Sequence, residues 1–175
     1  MSPQAASLLA TGLAFVWVAL FSVWHVVPWM RRRPVTVALA ACLWVHALRI
    51  AALQIFSAQA AGFHVSLGAA RGIAYGDVAA ACLAVVGVWL LRRRSRAVVP
   101  FLWLFIVVAA ADLVNATLLG IRENATDTAT DLTWLILSMY VPILWATLVL
   151  AVWQLATRRS DLPALTASTT QTGRR

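Results

Sequence analysis

The sequence is poor in charged residues. Only 11% of its 175 residues are Asp, Glu, Lys or Arg, whereas soluble domains carry about 25%. At the same time 62% of the residues are hydrophobic. A chain of this composition cannot bury its apolar side chains in one small core surrounded by water, which excludes a soluble globular domain. We therefore predict an integral membrane protein whose main partner is the lipid bilayer.

Lysine is absent, and all 14 basic residues are Arg. Together with the abundance of Ala, this bias indicates a GC-rich bacterial genome, and hence the cytoplasmic (inner) membrane of a bacterium. The net charge of +8 does not indicate nucleic-acid binding, because the arginines form short clusters at the ends of apolar stretches. A nucleic-acid groove needs one basic face interleaved with aromatic side chains. We expect no nucleic-acid partner.

Motifs for metals, redox groups and nucleotides are also missing. The two cysteines, Cys42 and Cys82, form no C-x-x-C pair and have no nearby set of histidines, which argues against zinc or redox chemistry. There is no glycine-rich phosphate loop. His25 and His46 differ by about 10 Å in expected depth, too much for the two axial ligands of one haem, and His64 falls in a loop. We expect neither a metal nor another cofactor.

Five apolar stretches are each long enough to cross about 30 Å of hydrocarbon as a helix. We place these helices at residues 6–30, 35–57, 72–91, 98–121 and 132–157. Arginine clusters follow the first, third and fifth stretches, and by the positive-inside rule these ends are cytoplasmic. The prediction is an all-α bundle of five transmembrane helices, with its N-terminus outside and its C-terminus cytoplasmic. A polar tail at 160–175 is predicted to be disordered.

Three ionisable residues, Arg49, Asp77 and Asp112, fall inside three different apolar stretches. Each lies 15–16 residues along the chain from the nearest arginine cluster. At ~1.5 Å per helical residue, all three are about 22–24 Å from the same membrane face. An intramembrane charge costs at least ~2.5–3.5 kcal/mol, so such residues usually pair and usually mark a functional site. We therefore predict that the three side chains meet in the outer half of the bilayer.

Two acids around one arginine form a candidate catalytic set. One guanidinium can bind two carboxylates at once. Two acids and one base leave an excess negative charge in low dielectric, which favours one proton on the pair of carboxyl groups. A carboxylate and a carboxylic acid held by one Arg can then act as general base and general acid. His46, one turn from Arg49, is a candidate to supply or relay the proton. The candidate catalytic residues are Asp77, Asp112, Arg49 and His46.

Four further polar residues are candidates for substrate binding. Asn115 follows Asp112 by three residues and so shares a helix face with it. Tyr140 lies in the outer half of the fifth stretch, and Gln54 lies near the outer mouth of the bundle. Tyr75 lies two residues before the acid of the third stretch and points roughly away from it, since two residues turn a helix by about 200°.

An Asp–Arg–Asp triad, with Tyr and Asn to position a water molecule, is similar to the catalytic set of limonene-type epoxide hydrolases. Those enzymes are soluble proteins of another fold, so the resemblance is one of chemistry and implies no kinship. For Asp77, Arg49 and Asp112 it implies that the opening of an epoxide is among the reactions to consider.

Three hypotheses remain open from the sequence. The first is a small membrane enzyme that isomerises, cyclises or hydrolyses the epoxide of an apolar, isoprenoid-like substrate. The second is a proton-coupled carrier, or a subunit of a membrane complex, with Asp77 or Asp112 as the proton site. A carrier of this size would be expected to form a homo-oligomer, because five helices enclose little volume. In the third, the same charges are only a strut that holds three helices together.

Overall fold

The structure, a computed structural model, describes residues 3–162. Within that range the chain is helical and contains no strand, and five helices are long and apolar enough to cross a membrane. They are α1 (Ala5–Arg31), α2 (Val35–Ala60), α3 (Leu67–Arg92), α4 (Val98–Arg122) and α5 (Asp131–Asp161). Five apolar helices of this length fit a multi-pass membrane protein, as the composition predicts.

The helices agree with the predicted stretches to within a few residues, except at the start of α3. This helix begins at Leu67 and not at residue 72. Ser66 caps it, because the Ser66 hydroxyl accepts a hydrogen bond from the Ala69 N–H at 3.2 Å and so satisfies one donor of the first turn. At the other end of the chain, the predicted tail at 160–175 lies outside the described residues from 163 onward. Leu162 is buried against the bundle.

Three of the long helices contain turns that are not α-helical. α1 and α5 each widen into a π-helical turn, at Ser22–Val26 and Ile136–Tyr140. In both helices a proline follows two residues after that turn, Pro28 in α1 and Pro142 in α5. Proline lacks an N–H, and its ring clashes with the carbonyl four residues earlier, so a wider turn before it relieves the clash. α2 narrows into a 3-10 helix over Leu48–Gln54.

The bundle is built around α3, which packs against both α2 and α4. Its buried face carries Ala70, Ala74, Ala80 and Ala84, all with no exposed surface. Side chains this small let neighbouring helices approach closely, as helices in membranes do. The inward faces of α2 and α4 therefore both lie against α3 in the centre of the bundle.

α5 holds α1 at both ends. At one end the Trp134 Nε1 donates to the Ser7 hydroxyl at 3.0 Å. At the other, the Arg158 guanidinium donates to the carbonyls of Met30 at 3.0 Å and of Arg33 at 3.2 Å. Carbonyls at the end of a helix lack partners within the helix and carry partial negative charge, so an arginine suits them in both respects.

The segment after α4 is tied to the start of α3 by Glu123. Its carboxylate accepts hydrogen bonds from the Ser66 N–H at 3.0 Å and from the Ser66 hydroxyl at 2.6 Å. These two bonds favour the ionised form and lower the pKa of Glu123 below its ordinary value of 4.5. The link therefore exists at neutral pH and is lost when the carboxylate is protonated.

A pH-dependent stability difference between the wild type and Glu123→Gln follows from this link. A carboxyl group whose pKa is lower in the folded state stabilises that state above its unfolded pKa, and the contribution disappears as the pH falls through the folded pKa. We expect the wild type to melt at a higher temperature than Glu123→Gln above about pH 4.5, and the two melting curves to converge in more acidic buffer. Asp127→Asn, at an exposed acid in the short helix Ala125–Thr128 that follows Glu123, is the control. A difference that does not shrink with acid would contradict this role of Glu123.

Candidate functional site

Arg49 of α2 lies between one acid from α3 and one from α4. Its Nε donates to Oδ1 of Asp77 at 2.5 Å, and its Nη2 donates to Oδ2 of Asp112. The three charged residues that the sequence predicts at one depth are therefore in direct contact, with both acids bound to the guanidinium of Arg49. We call these three residues the Asp–Arg–Asp cluster.

The cluster is almost completely covered by the bundle. The Arg49 side chain has no exposed surface, whereas the side chains of Asp77 and Asp112 keep 13% and 8%. With both carboxyl groups ionised the cluster carries a formal charge of −1, and with one proton on them it is neutral. Charges interact more strongly inside the bundle than at a solvent-exposed surface, because the effective dielectric constant is lower there. Among the described residues the Arg49 Nη1 has no hydrogen-bond partner, so the guanidinium keeps one free donor group.

The backbone that carries Arg49 is unusual. Arg49 is the second residue of the seven-residue 3-10 helix Leu48–Gln54. Runs of 3-10 helix longer than about 3–4 residues are uncommon, and inside a longer helix they often mark a functional hinge. α5 is hydrogen-bonded to α2 just before this segment, because the Tyr140 hydroxyl donates to the Val45 carbonyl at 2.7 Å.

Gly76 of α3 makes room for the Asp112 carboxylate. A Cβ built on Gly76 would overlap Oδ1 of Asp112 and lie 2.8 Å from its Cγ. One turn earlier, a Cβ on Gly72 would lie 3.3 Å from a methyl group of Leu119, and a Cβ on Gly68 would meet no atom within 4 Å. The three glycines repeat every four residues, a pattern typical of closely packed membrane helices. This repeat is the signal by which sequence analysis could have found Gly76, which positions Asp112.

His46 is buried, but in a different place from the carboxylates. Its Nε2 lies 3.3 Å from the Thr147 hydroxyl oxygen, and that hydroxyl donates to the Ile143 carbonyl at 2.8 Å. Since the hydroxyl proton is used in this way, we assign the donated proton of the first contact to Nε2. The His46 ring also stands edge-on to Phe105, with ring centres 5.2 Å apart. No hydrogen bond or ion pair in the described chain joins His46 to either acid of the cluster.

No hydrogen bond in the described structure joins any two of the four predicted substrate-binding residues. Gln54 donates to the Thr133 hydroxyl at 3.1 Å, and Tyr140 bonds to the backbone of α2. Tyr75 is 62% exposed, Asn115 is also exposed, and neither makes a hydrogen bond in the described structure. Two residues turn a helix by about 200°, so Tyr75 points away from Asp77. Three residues turn it by about 300°, which leaves Asn115 only about 60° from Asp112, but that offset already places its side chain at the exposed surface of α4. The structure gives none of the four a hydrogen bond to the cluster.

Comparison with known protein families places this chain in one of them. Residues 6–156 match the family described as Domain of unknown function (DUF8737). The chain belongs to this family. No curated protein and no solved structure matches the chain. The part that matches the DUF8737 family contains the whole Asp–Arg–Asp cluster, together with Gly76 and His46.

The functional groups of the Asp–Arg–Asp cluster are two carboxyl groups and one guanidinium. Among residues 3–162 no three His, Cys, Asp or Glu side chains lie together in a way that would hold a metal ion. Of the other two histidines, His25 is exposed on α1 and His64 is exposed before α3. The chemistry that the cluster's own groups can perform is proton exchange at two carboxyl groups and hydrogen-bond donation by the guanidinium.

Proposed function

We propose that this protein is a small enzyme of a bacterial cytoplasmic membrane that performs acid/base chemistry on an apolar, isoprenoid-like molecule. The reaction is an isomerisation, a cyclisation or the opening of an epoxide. The N-terminus lies outside and the C-terminus in the cytoplasm, as the positive-inside rule favours. The observation that supports the proposal is that one fully covered guanidinium holds two carboxyl groups from neighbouring helices, and that both carboxyl-bearing side chains keep a small exposed part.

Two carboxyl groups on one arginine suit a pair of proton transfers. One proton shared by Asp77 and Asp112 makes the cluster neutral, and leaves one carboxylic acid and one carboxylate. The acid donates its proton to an oxygen or a double bond of the substrate, and the carboxylate removes a proton from the substrate or from an attacking water. The cluster then carries the same charge as before, with the proton on the other carboxyl group, and exchange through water restores the starting state.

A substrate would first contact the cluster at the exposed parts of the two acid side chains. A molecule entering from the bilayer reaches the carboxyl side chains first, because the guanidinium itself has no exposed surface. The unpartnered Nη1 of Arg49 is itself buried, so it becomes a donor for a substrate oxygen or a water once a neighbouring side chain moves aside. A neutral oxygen, such as that of an epoxide, suits this donor better than an anion does, because two carboxyl groups already bind the same guanidinium.

Replacing either acid by its amide is expected to stop turnover. Asp77→Asn and Asp112→Asn keep the shape and a hydrogen-bond acceptor for Arg49 but remove a proton-exchanging group, which typically contributes 10²–10⁴-fold to a rate. Membranes with equal amounts of each variant would be incubated with apolar terpenoid epoxides and unsaturated isoprenoids in ¹⁸O-labelled water, and the products analysed by mass spectrometry. Asp127→Asn, an exposed acid outside the long helices, is the matched control. Full turnover by both cluster variants would end the acid/base hypothesis.

A proton-coupled carrier is the second candidate, and the 3-10 segment favours it. A 3-10 helix rises about 2.0 Å per residue and an α-helix about 1.5 Å, so a change between the two forms over Leu48–Gln54 would move Arg49 relative to both acids. Proteoliposomes with a pH-sensitive dye inside distinguish the two functions. A carrier takes up protons when a transported molecule is added and loses this uptake in Asp77→Asn or Asp112→Asn, whereas an enzyme shows no uptake.

A further inference from the structure

A second candidate site lies at the C-terminal end of α1, away from the Asp–Arg–Asp cluster. A crevice of about 490 Å³ opens there on the surface of the protein. It is lined by Trp24, His25, Pro28, Trp29, Arg32 and Arg33. Its volume falls within the range of about 300–1,000 Å³ that is typical of small-molecule sites.

The backbone beneath this crevice is held in place by hydrogen bonds. The N–H of Arg32 donates to the Trp29 carbonyl at 3.2 Å, and the N–H of Arg33 donates to the Met30 carbonyl at 3.3 Å. Arg158 of α5 binds the carbonyls of Met30 and Arg33 in addition. The two arginines of the crevice therefore project from a turn that is fixed to the rest of the bundle.

The positive charge of the crevice is not neutralised by the protein. The ion pairs found in residues 3–162 involve Arg49 and Arg158, and none involves Arg32 or Arg33. The Arg33 guanidinium lies over the ring of Trp29, 6.0 Å from the ring centre, and it makes no side-chain hydrogen bond within residues 3–162. A guanidinium pair of this kind fits the oxygens of a phosphate group.

The depth of the crevice also indicates a lipid headgroup. α1 has 27 residues, Ala5–Arg31, which at ~1.5 Å per residue exceeds the ~30 Å of hydrocarbon. Its end at Arg31 thus reaches the headgroup layer, where tryptophan rings such as those of Trp24 and Trp29 are favoured. Clusters of arginine next to a transmembrane helix attract anionic lipids.

We propose that this crevice binds the phosphate group of an anionic phospholipid, with Arg32 and Arg33 on the phosphate oxygens and Trp24 and Trp29 beside the glycerol and upper acyl chain. This site is separate from the Asp–Arg–Asp cluster, and it stands whether or not the cluster is catalytic.

The test is lipid binding by the purified protein in detergent, measured by native mass spectrometry with phosphatidylglycerol and with zwitterionic phosphatidylcholine. Arg32→Gln combined with Arg33→Gln is expected to weaken phosphatidylglycerol binding at least about tenfold and to leave phosphatidylcholine binding unchanged. The matched control is Arg93→Gln with Arg94→Gln, in a second run of three arginines where Arg93 lies 5.7 Å from the ring centre of Trp89. It should bind phosphatidylglycerol as the wild type does.

Equal weakening in the two double variants would show a general effect of charge and overturn the proposal, as would unchanged binding in both. Trp24→Leu keeps every charge and replaces a side chain that is 65% exposed, so it tests the crevice independently of net charge and is also expected to weaken phosphatidylglycerol binding. Inorganic phosphate at millimolar concentration identifies the source of the phosphate group. The proposal expects no displacement of the lipid, and displacement by free phosphate would make this a site for a soluble ion instead.

Discussion

Arg49→Met is expected to destabilise the protein by about 3–5 kcal/mol, the cost of removing one partner from a buried ion pair. Met is shorter than Arg but close to it in volume, so it leaves no large cavity and the loss comes mainly from electrostatics. Asp77 and Asp112 would remain in a covered site with no positive charge between them, although Arg49 is their common partner in the structure. Thermal or denaturant unfolding of the purified protein in detergent at neutral pH measures the effect.

Neutralising both acids as well should recover most of that stability. Replacing a complete buried set of charges by neutral groups of similar shape is often nearly neutral in free energy. We therefore expect Arg49→Met with Asp77→Asn and Asp112→Asn to be more stable than Arg49→Met alone. Arg122→Met, at an exposed position at the end of α4, controls for the loss of an arginine. A triple variant as unstable as the single one would show that the loss does not come from the unpaired acids.

Gly76→Ala should disturb the cluster without changing any of its residues. The added methyl group would occupy the position of the Asp112 carboxylate, so either that carboxylate or α3 must move. Overpacking of this kind typically costs 1–3 kcal/mol, and a displacement of about 1 Å in a catalytic group can cost about 10²-fold in rate. We expect a lower melting temperature together with a turnover at least about 10²-fold lower.

Two other glycines of α3 supply matched controls for this substitution. A methyl group at Gly68 would meet no atom within 4 Å, and one at Gly72 would meet only the end of the Leu119 side chain. Gly68→Ala should therefore leave stability and turnover unchanged or slightly raise stability, since Ala is a better helix former than Gly. If Gly68→Ala and Gly76→Ala had the same effect, the contact with Asp112 would not be the cause.

The five helices and the meeting of the three charges could be predicted from sequence for the same physical reason. An apolar solvent forces each spanning segment to be a helix, and a helix has a nearly constant rise per residue. Distance along the chain therefore predicts depth in the membrane, and the predicted depths of Arg49, Asp77 and Asp112 are equal. The high cost of an unpaired charge in that solvent then favours the contact.

The details around the cluster depend on packing that sequence patterns do not encode. Leu48–Gln54 contains no proline or glycine that would mark a 3-10 helix, so a 3-10 helix around Arg49 could not be expected from the residue types. The start of α3 at Leu67 depends on the cap at Ser66, which a search for apolar runs overlooks. Tyr75 and Asn115 match the cluster in depth, but a helix turns them towards its outer surface.

Turnover by the triple variant Arg49→Met/Asp77→Asn/Asp112→Asn, at equal amounts of folded protein, tests most directly whether the cluster performs chemistry. We expect a folded protein whose turnover is lower than that of the wild type by at least about 10²-fold, because both proton-exchanging groups are gone. Turnover equal to that of the wild type would contradict it, and would show that the three charges serve only to hold α2, α3 and α4 together.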